Sequence, residues 1–431
     1  TLLAACWQWL CQAVVGRPGW AVFSSALFLA FNVGCHLAGE WVVGGFEAKG
    51  LAYALVFAAL VALVRDRWNR AFALLGVASA FHVLVGGWSA IAVGLCWLMS
   101  RDRPPLARLW PGIVGGAILA LPGIVPALQI NWGVEPQIVA EANDIYVFRR
   151  LPHHLVPQSF RWPFIVRYLA MLSVWLVVVR KQPDHRPLRR VNSFVVAALG
   201  ISFAGMLLAL ITAHSPETQA ALLRYYWFRL ADVMLPVGIA LGGVLKLAGE
   251  SPKSKVQSPK SWWYVGGWLA VFAALVVYAR GDYAAWTLFQ NIPRADKYGK
   301  VLSHEDWRDA CRWMADNAPR DALAITPRMA QSFTWYAGRG QVVSWKDLPQ
   351  NAEAVARWWQ RLEDIYAMPH PEFQGRWHES LTEVSAERLR RLGQKYGAAY
   401  LVVEAEPPIE LPRAYRNGSY AVYLLNAPNG M

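Results

Sequence analysis

Charge is scarce in this 431-residue chain, with 16 % of its residues Asp, Glu, Lys or Arg against 55 % hydrophobic. Soluble domains carry about a quarter, so the deficit excludes an ordinary soluble protein and predicts an α-helical polytopic membrane protein. Cysteine is sparse too. Cys6, Cys11, Cys35 and Cys96 lie in apolar runs and Cys311 stands alone, which leaves no disulfide framework or CxxC pair and no guide to redox compartment. The GxGxxG, P-loop, GxSxG and HExxH signatures are absent as well, which removes the commonest nucleotide, hydrolase and zinc-protease readings. No basic segment precedes the apolar stretch Leu2 to Val15, so no signal peptide is read there, and the true N-terminus is expected upstream of Thr1.

Basic charge and tryptophan are in excess, with a formal net charge of +13 and 23 Trp. The excess is uneven: residues 1 to 279 hold 23 Lys/Arg against 11 Asp/Glu, and residues 280 to 431 hold 19 against 18. It gathers at Arg65, Arg67 and Arg70, at Arg101, Arg103 and Arg108, at Arg180 to Arg190 and at Lys246 to Lys260, which the positive-inside rule reads as cytoplasmic loops. Nucleic acid is therefore not the expected partner; membrane lipids are.

From those loops the spans alternate. Leu2 to Val15 runs inward, Trp20 to Ala38 outward and Gly50 to Val64 inward, which puts the turn GEWVVGGFEAK with Glu40 and Glu47 at the outer surface. Such a carboxylate is a candidate for chemistry, and two solvated loop acids are the plainer alternative. Residues 71 to 99 are too short for two spans of about 20 residues each, so a hairpin of two half-length helices, broken at Gly86 and Gly87, is expected. His82 then sits near its tip, either facing the acidic turn or satisfied by a local carbonyl.

Trp110 to Ile130 crosses outward, and an outer loop follows over Asn131 to Trp162 containing Glu135, Glu141, Asp144, Arg149, Arg150, His153 and His154. A loop of that length favours function or disorder. Arg149 and Arg150 suit a phosphate with their forked donors, or else anchor the interface; the adjacent histidines lack the spacing of a metal site. Further spans run from Pro163 to Val179, from Ser193 to Ala213 and from the RYYWFRLADVMLP segment to about Leu247. In that last span Arg229 and Asp232 lie three residues apart on one helical face and are expected to pair, facing a cavity or snorkelling outward, since each charge costs about 3 kcal/mol at mid-bilayer. The linker Gly249 to Ser261 reads as a basic, Pro-broken cytoplasmic loop, and Trp262 to Ala279 as the final outward span of about eight.

Residues 280 to 431 then form, by parity, an extracytoplasmic soluble α/β domain. Ser303 with Asp306 reads as a capping box. ALAIT is a strand, Thr326 and Pro327 open a helix, QVVSW is a strand, helices start at Asn351 and Ser385, and AAYLVVE and SYAVYLL are strands of a mostly parallel sheet. Trp335, Tyr336, Trp345, Trp358 and Trp359 suit either sugar stacking or core packing.

Taken together, the hairpin FHVLVGGWS, the acids of GGFEAKGLAYALVF and a last domain running from WRDACRWMADNAPRDALAITP to NGSYAVYLL resemble a bacterial branch of the GT-C class of membrane glycosyltransferases. The resemblance covers nearly the whole chain, in layout and loose motifs. It implies transfer of a sugar from a polyprenyl-phosphate carrier to an acceptor on the outer face, often with a divalent metal. It also implies an Asp or Glu of the first outer loop as general base or metal ligand. The first outer loop visible here has only about ten residues, so either that loop lies upstream or Glu40 and Glu47 have taken the role, Glu47 looking more like the class's acid at a helix entrance. On this reading Glu47, Glu40 and His82 are the catalytic candidates, and Arg149, Arg150, Arg229, Asp232, His153 and His154 bind substrate. The alternative is a non-catalytic membrane scaffold whose outer domain binds a glycan or protein. A transporter is less in keeping, because no second interrupted helix mirrors the first.

Overall fold

The computed structural model describes residues 2–43, 47–180, 185–249, 302–368 and 376–426. The chain divides into two compact units, Thr1–Ala284 and Ala285–Met431. All but the first residue of the expected linker Gly249 to Ser261, and the expected span Trp262 to Ala279, lie outside the described residues.

The first unit is a bundle of α1 (Leu2–Val15), α2 (Trp20–Gly34), α3 (Ala48–Val64), α4 (Trp68–Phe81), α5 (Val83–Met99), α6 (Leu106–Gln129), α7 (Pro136–Asp144), α8 (Pro152–Leu155), α9 (Trp162–Arg180), α10 (Arg186–Ile211), α11 (Pro216–Leu223) and α12 (Arg229–Gly249). Four of these, α6, α9, α10 and α12, are long and apolar enough to cross a membrane, or five spans result if the bent pair α1 and α2 counts as one. These counts are of the described residues, outside which one of the about eight expected spans, Trp262 to Ala279, lies. At 1.5 Å per residue the 14 residues of α1 and the 15 of α2 reach only about 21 to 23 Å, short of a hydrocarbon core about 30 Å thick, and the two meet at a bend of 112°. Helix α6 carries exposed Leu106, Ile118, Leu121 and Leu128, with Trp110 near one end and Trp132 just past the other exposed as interfacial aromatics are. Helix α12 is the opposite case: 83 % of its apolar window is buried, and it packs against α2, α9 and α10 as the central member.

Two corrections concern irregular segments. The hairpin of α4 and α5 breaks at His82, extended at φ −151° and ψ 99°, not at Gly86 and Gly87, both of which lie inside α5. His82 Nδ1 accepts from the Val85 N–H and caps α5, while Gly86 lets α5 approach the Ser79 backbone of α4. The expected long outer loop is instead largely helical, comprising α7, a π-helical turn (Ile145–Arg150) and α8.

Close packing in the bundle rests on small residues. Gly112, Gly116 and Gly123 of α6 lie on the backbone of α4 at Asn69, Phe72 and Ser79, in the manner of membrane helices that gain contact by bringing backbones together. At the opposite end of α3 from Glu40, the buried Arg190 guanidinium meets Asp66 and Asp102 at 2.9 Å each and also bonds Ser100, tying the loops after α3 and α5 to the start of α10.

The second unit contains α13 (His304–Asn317), β1 (Leu323–Ile325), α14 (Phe333–Ala337), β2 (Gly340–Gln341), α15 (Ala352–Tyr366), α16 (Ala386–Tyr396), β3 (Tyr400–Glu404), β4 (Arg413–Arg416) and β5 (Tyr420–Leu424). The sheet order is β2-β1-β3-β5-β4, with β1 parallel to β2 and β3 and with β5 antiparallel to β3 and β4. It is mixed rather than mostly parallel, because the turn around Asn417 and Gly418 adds the unforeseen strand β4 to β5 as a hairpin. Ser303 caps α13 by accepting from the Asp306 N–H, but the Ser303 N–H is answered by Ser419 Oγ, which itself bonds the Asp306 carboxylate. No helix opens at Thr326. Its hydroxyl donates to Gln341 Oε1 at 3.0 Å, holding β1 to β2 instead of capping a turn, and the next helix waits until Phe333.

A Cβ at Gly116 would sit 2.5 Å from the Phe72 carbonyl oxygen. Gly116→Val is therefore expected to destabilise the bundle by about 1–3 kcal/mol through forced separation of α4 and α6. The readout is the thermal midpoint in detergent; an unchanged midpoint contradicts this packing.

Candidate functional site

The site begins where α2 stops. Residues 35–38, Cys-His-Leu-Ala, contain neither Pro nor Gly, yet α2 ends at Gly34. The cause lies on α12. Asp232, fully buried, accepts from the Leu37 N–H at 2.8 Å on Oδ1 and from the Ala38 and Glu40 N–H groups at 2.9 and 3.2 Å on Oδ2. A buried carboxylate costs several kcal/mol to desolvate, and three charge-assisted bonds of about 1.5–3 kcal/mol each offset that. Asn32 closes the connection from the other side, donating through Nδ2 to the Glu40 and Asp232 carbonyls.

Gly39 completes the turn with φ +75°, and His154 leaves no room for a side chain there, its Cε1 lying 2.7 Å from where a Cβ would be. His154 Nδ1 lies 2.5 Å from the Ala38 carbonyl oxygen, and the His153 ring centroid is 4.0 Å from that of His154. Burial pushes His154 down to about 3, with His153 adding to the shift, so it is a neutral imidazole that donates Nδ1–H to the carbonyl.

This clamp delivers Glu40, whose side chain is 1 % exposed, to Arg229 Nε at 3.1 Å and Lys49 Nζ at 3.9 Å. Burial raises the Glu40 carboxyl above its ordinary range while Arg229 and Lys49 pull it back. The fully buried Tyr53 hydroxyl shares the Glu40 environment. Arg229 lies over the Tyr226 ring at 3.4 Å, and the Tyr226 hydroxyl meets that of Tyr146 at 2.8 Å. Lys49, stacked over Trp41 at 3.5 Å, also reaches Glu47 at 3.5 Å, and Glu47 is 51 % exposed. Charge therefore runs unbroken from the surface to the buried centre: Glu47, Lys49, Glu40, Arg229.

Arg229 and Asp232 share a helix as expected but do not serve each other: one holds the Glu40 side chain, the other the backbone that carries it. Both carboxylate oxygens of Asp232 are turned to backbone N–H groups. Arg149 and Arg150 diverge across the π-helical turn. Arg149 pairs with Asp144 at 2.8 Å on the surface, while Arg150 lies half-buried within the field of Tyr146 and Tyr226. His82 lies within the field of Arg229 and Lys49. Of the residues singled out in the sequence, Glu40, Glu47, Arg229, Asp232, Arg150, His82 and His154 thus gather around one connection, whereas Arg149 turns away. Asn32, Lys49, Tyr53, Tyr146 and Tyr226 were not singled out; only Lys49, a charge opening an apolar helix, carried a signal. Among the described residues no group of three or more His, Cys, Asp or Glu side chains could hold a metal ion.

A family model described as a domain of unknown function, DUF6798, matches residues 305–365, within the second unit. No curated protein matches the chain.

Arg229→Gln leaves the Glu40 carboxylate buried without its closest cation and is expected to cost about 3–5 kcal/mol. Adding Glu40→Gln should restore much of that loss, a coupling that a double-mutant cycle of thermal or denaturant midpoints measures. Additive losses contradict the pairing.

Proposed function

We propose that the chain is a membrane glycosyltransferase-like protein that transfers a sugar from a polyprenyl-phosphate carrier to an acceptor on the outer face of the cytoplasmic membrane, with its second unit extracytoplasmic. The observation that carries this reading is the series Glu47, Lys49, Glu40 and Arg229, which ends in a carboxylate open to an acceptor and backs it with a buried and a largely buried cation. Support for a membrane setting comes from the four long apolar helices and from the basic loops gathered at the far end of α3.

The two acids take different parts. Glu40 is buried and held by two cations, so it orients Arg229 and Lys49 rather than reaching an acceptor. Glu47, half in solvent, can accept the acceptor hydroxyl's proton as that oxygen bonds to the anomeric carbon. The bond from that carbon to the phosphate oxygen breaks at the same centre, and the departing polyprenyl phosphate carries charge that Lys49, Arg229 and Arg150 are placed to stabilise. The divalent cation that often accompanies this chemistry has no converging donor set among the described residues, and no step is assigned to one.

Glu47→Gln is expected to abolish release of polyprenyl phosphate from a polyprenyl-phosphate sugar by the purified protein. Because the Lys49 pair is half-exposed and worth about 0–1 kcal/mol, insertion and thermal midpoint should stay near wild type. Undiminished release by the variant contradicts the role of Glu47, and no release by the wild type from any carrier-linked sugar favours a non-catalytic scaffold.

A further inference from the structure

Within the second unit, a cavity of about 220 Å³ opens where β2 ends and α15 begins to cover the sheet. Strands β2, β1 and β3 form the parallel part of that sheet, and small ligands of α/β folds bind outside the carboxyl ends of parallel strands. The lining comes from two sources. Gln341, Ser344 and Asp347 arrive from the end of β2 and its continuation, while Arg357, Trp358 and Arg361 project from one face of α15. All six fall inside residues 305–365, the segment matched by the family model.

The polar groups are organised around one carboxylate. Asp347 Oδ2 accepts from Gln341 Nε2 at 3.0 Å and from Ser344 Oγ at 2.5 Å, which fixes its direction and leaves Oδ1 for a hydroxyl of a ligand. The Trp358 ring is locked by a 2.9 Å bond from Nε1 to the Ser344 carbonyl and gives the site an apolar wall. Arg357 and Arg361 stand one helical turn apart, a like-charged spacing that disfavours an isolated helix. Arg361 spends one nitrogen on the Val342 carbonyl at 3.3 Å, and Arg357 meets Glu353 at 3.4 Å across a surface where ion pairs are weak. The cavity lining itself carries two guanidinium groups and one carboxylate, and Glu353, which meets Arg357, lies outside that lining on an exposed surface where its hold is weak. The cavity's volume equals that of about seven waters, which suits one ring-sized polar molecule and no chain.

We propose that this cavity binds a single anionic sugar unit. The carboxylate or phosphate of the sugar is gripped by Arg357 and Arg361, its hydroxyls bond Asp347 and Ser344, and its less polar face lies toward Trp358. The site belongs to the second unit alone and stands independently of any transferase activity in the helical unit.

Calorimetric titration of the full chain in detergent with glucuronate, glucose 6-phosphate, glucose and inorganic phosphate tests the proposal. At least one of the two anionic sugars should bind, glucose and inorganic phosphate each about tenfold or more weakly, and whichever of glucuronate and glucose 6-phosphate is tighter identifies the anion. Arg357→Gln, at a mostly exposed position, should weaken that binding about tenfold without moving the thermal midpoint. Asp347→Asn should weaken the sugars but not inorganic phosphate. Absence of binding by both anionic sugars, equal binding of glucose or of inorganic phosphate, or indifference to Arg357→Gln in a folded variant overturns the proposal.

Discussion

A single buried carboxylate organises the helical unit. Asp232 gathers three backbone N–H groups from a connection almost 200 residues away in sequence, and that grip ends α2, turns the chain at Gly39 and aims Glu40 inward. The shortness of α2 follows from it, since a chain that must leave its helix to meet Asp232 cannot continue across. Placing the acceptor on α12 is effective because that helix is the most buried of the bundle and is held by neighbours on several sides.

The same helix supplies Arg229 one turn earlier, so backbone anchor and side-chain counter-ion move as one body. Glu40 is thereby positioned twice, through its N–H by Asp232 and through its carboxylate by Arg229. His154 adds a third hold on the adjoining carbonyl from a helix that itself follows the π-helical turn carrying Tyr146 and Arg150. Such over-determination keeps a buried ion pair in one geometry. At the far end of α3, Arg190 with Asp66 and Asp102 does a similar mechanical service for three other segments.

Sequence reasoning reached Glu40, Arg229 and Asp232 because charge inside apolar runs is costly and so seldom idle. It paired the wrong two. Spacing along a helix reports neighbours on that helix, whereas the true partners come from residues 37–40, invisible to any local pattern. The stop at Gly34 was illegible for the same reason, since nothing in Cys-His-Leu-Ala breaks a helix. Gly86 and Gly87 misled in the other direction: a glycine pair reads as a break, yet here Gly86 serves close packing on Ser79 and the chain opens at His82. In the second unit the capped helices α13, α15 and α16 were legible from Ser303, Asn351 and Ser385, while β4, a short strand of charged and aromatic residues, carried no alternating apolar signal.

Amide hydrogen exchange at Leu37, Ala38 and Glu40 tests the grip of Asp232 most directly. The account predicts strong protection of all three in the wild type, lost together in Asp232→Ala while amides in the middle of α12 stay protected. Equal protection in both proteins, or rapid exchange already in the wild type, would contradict it.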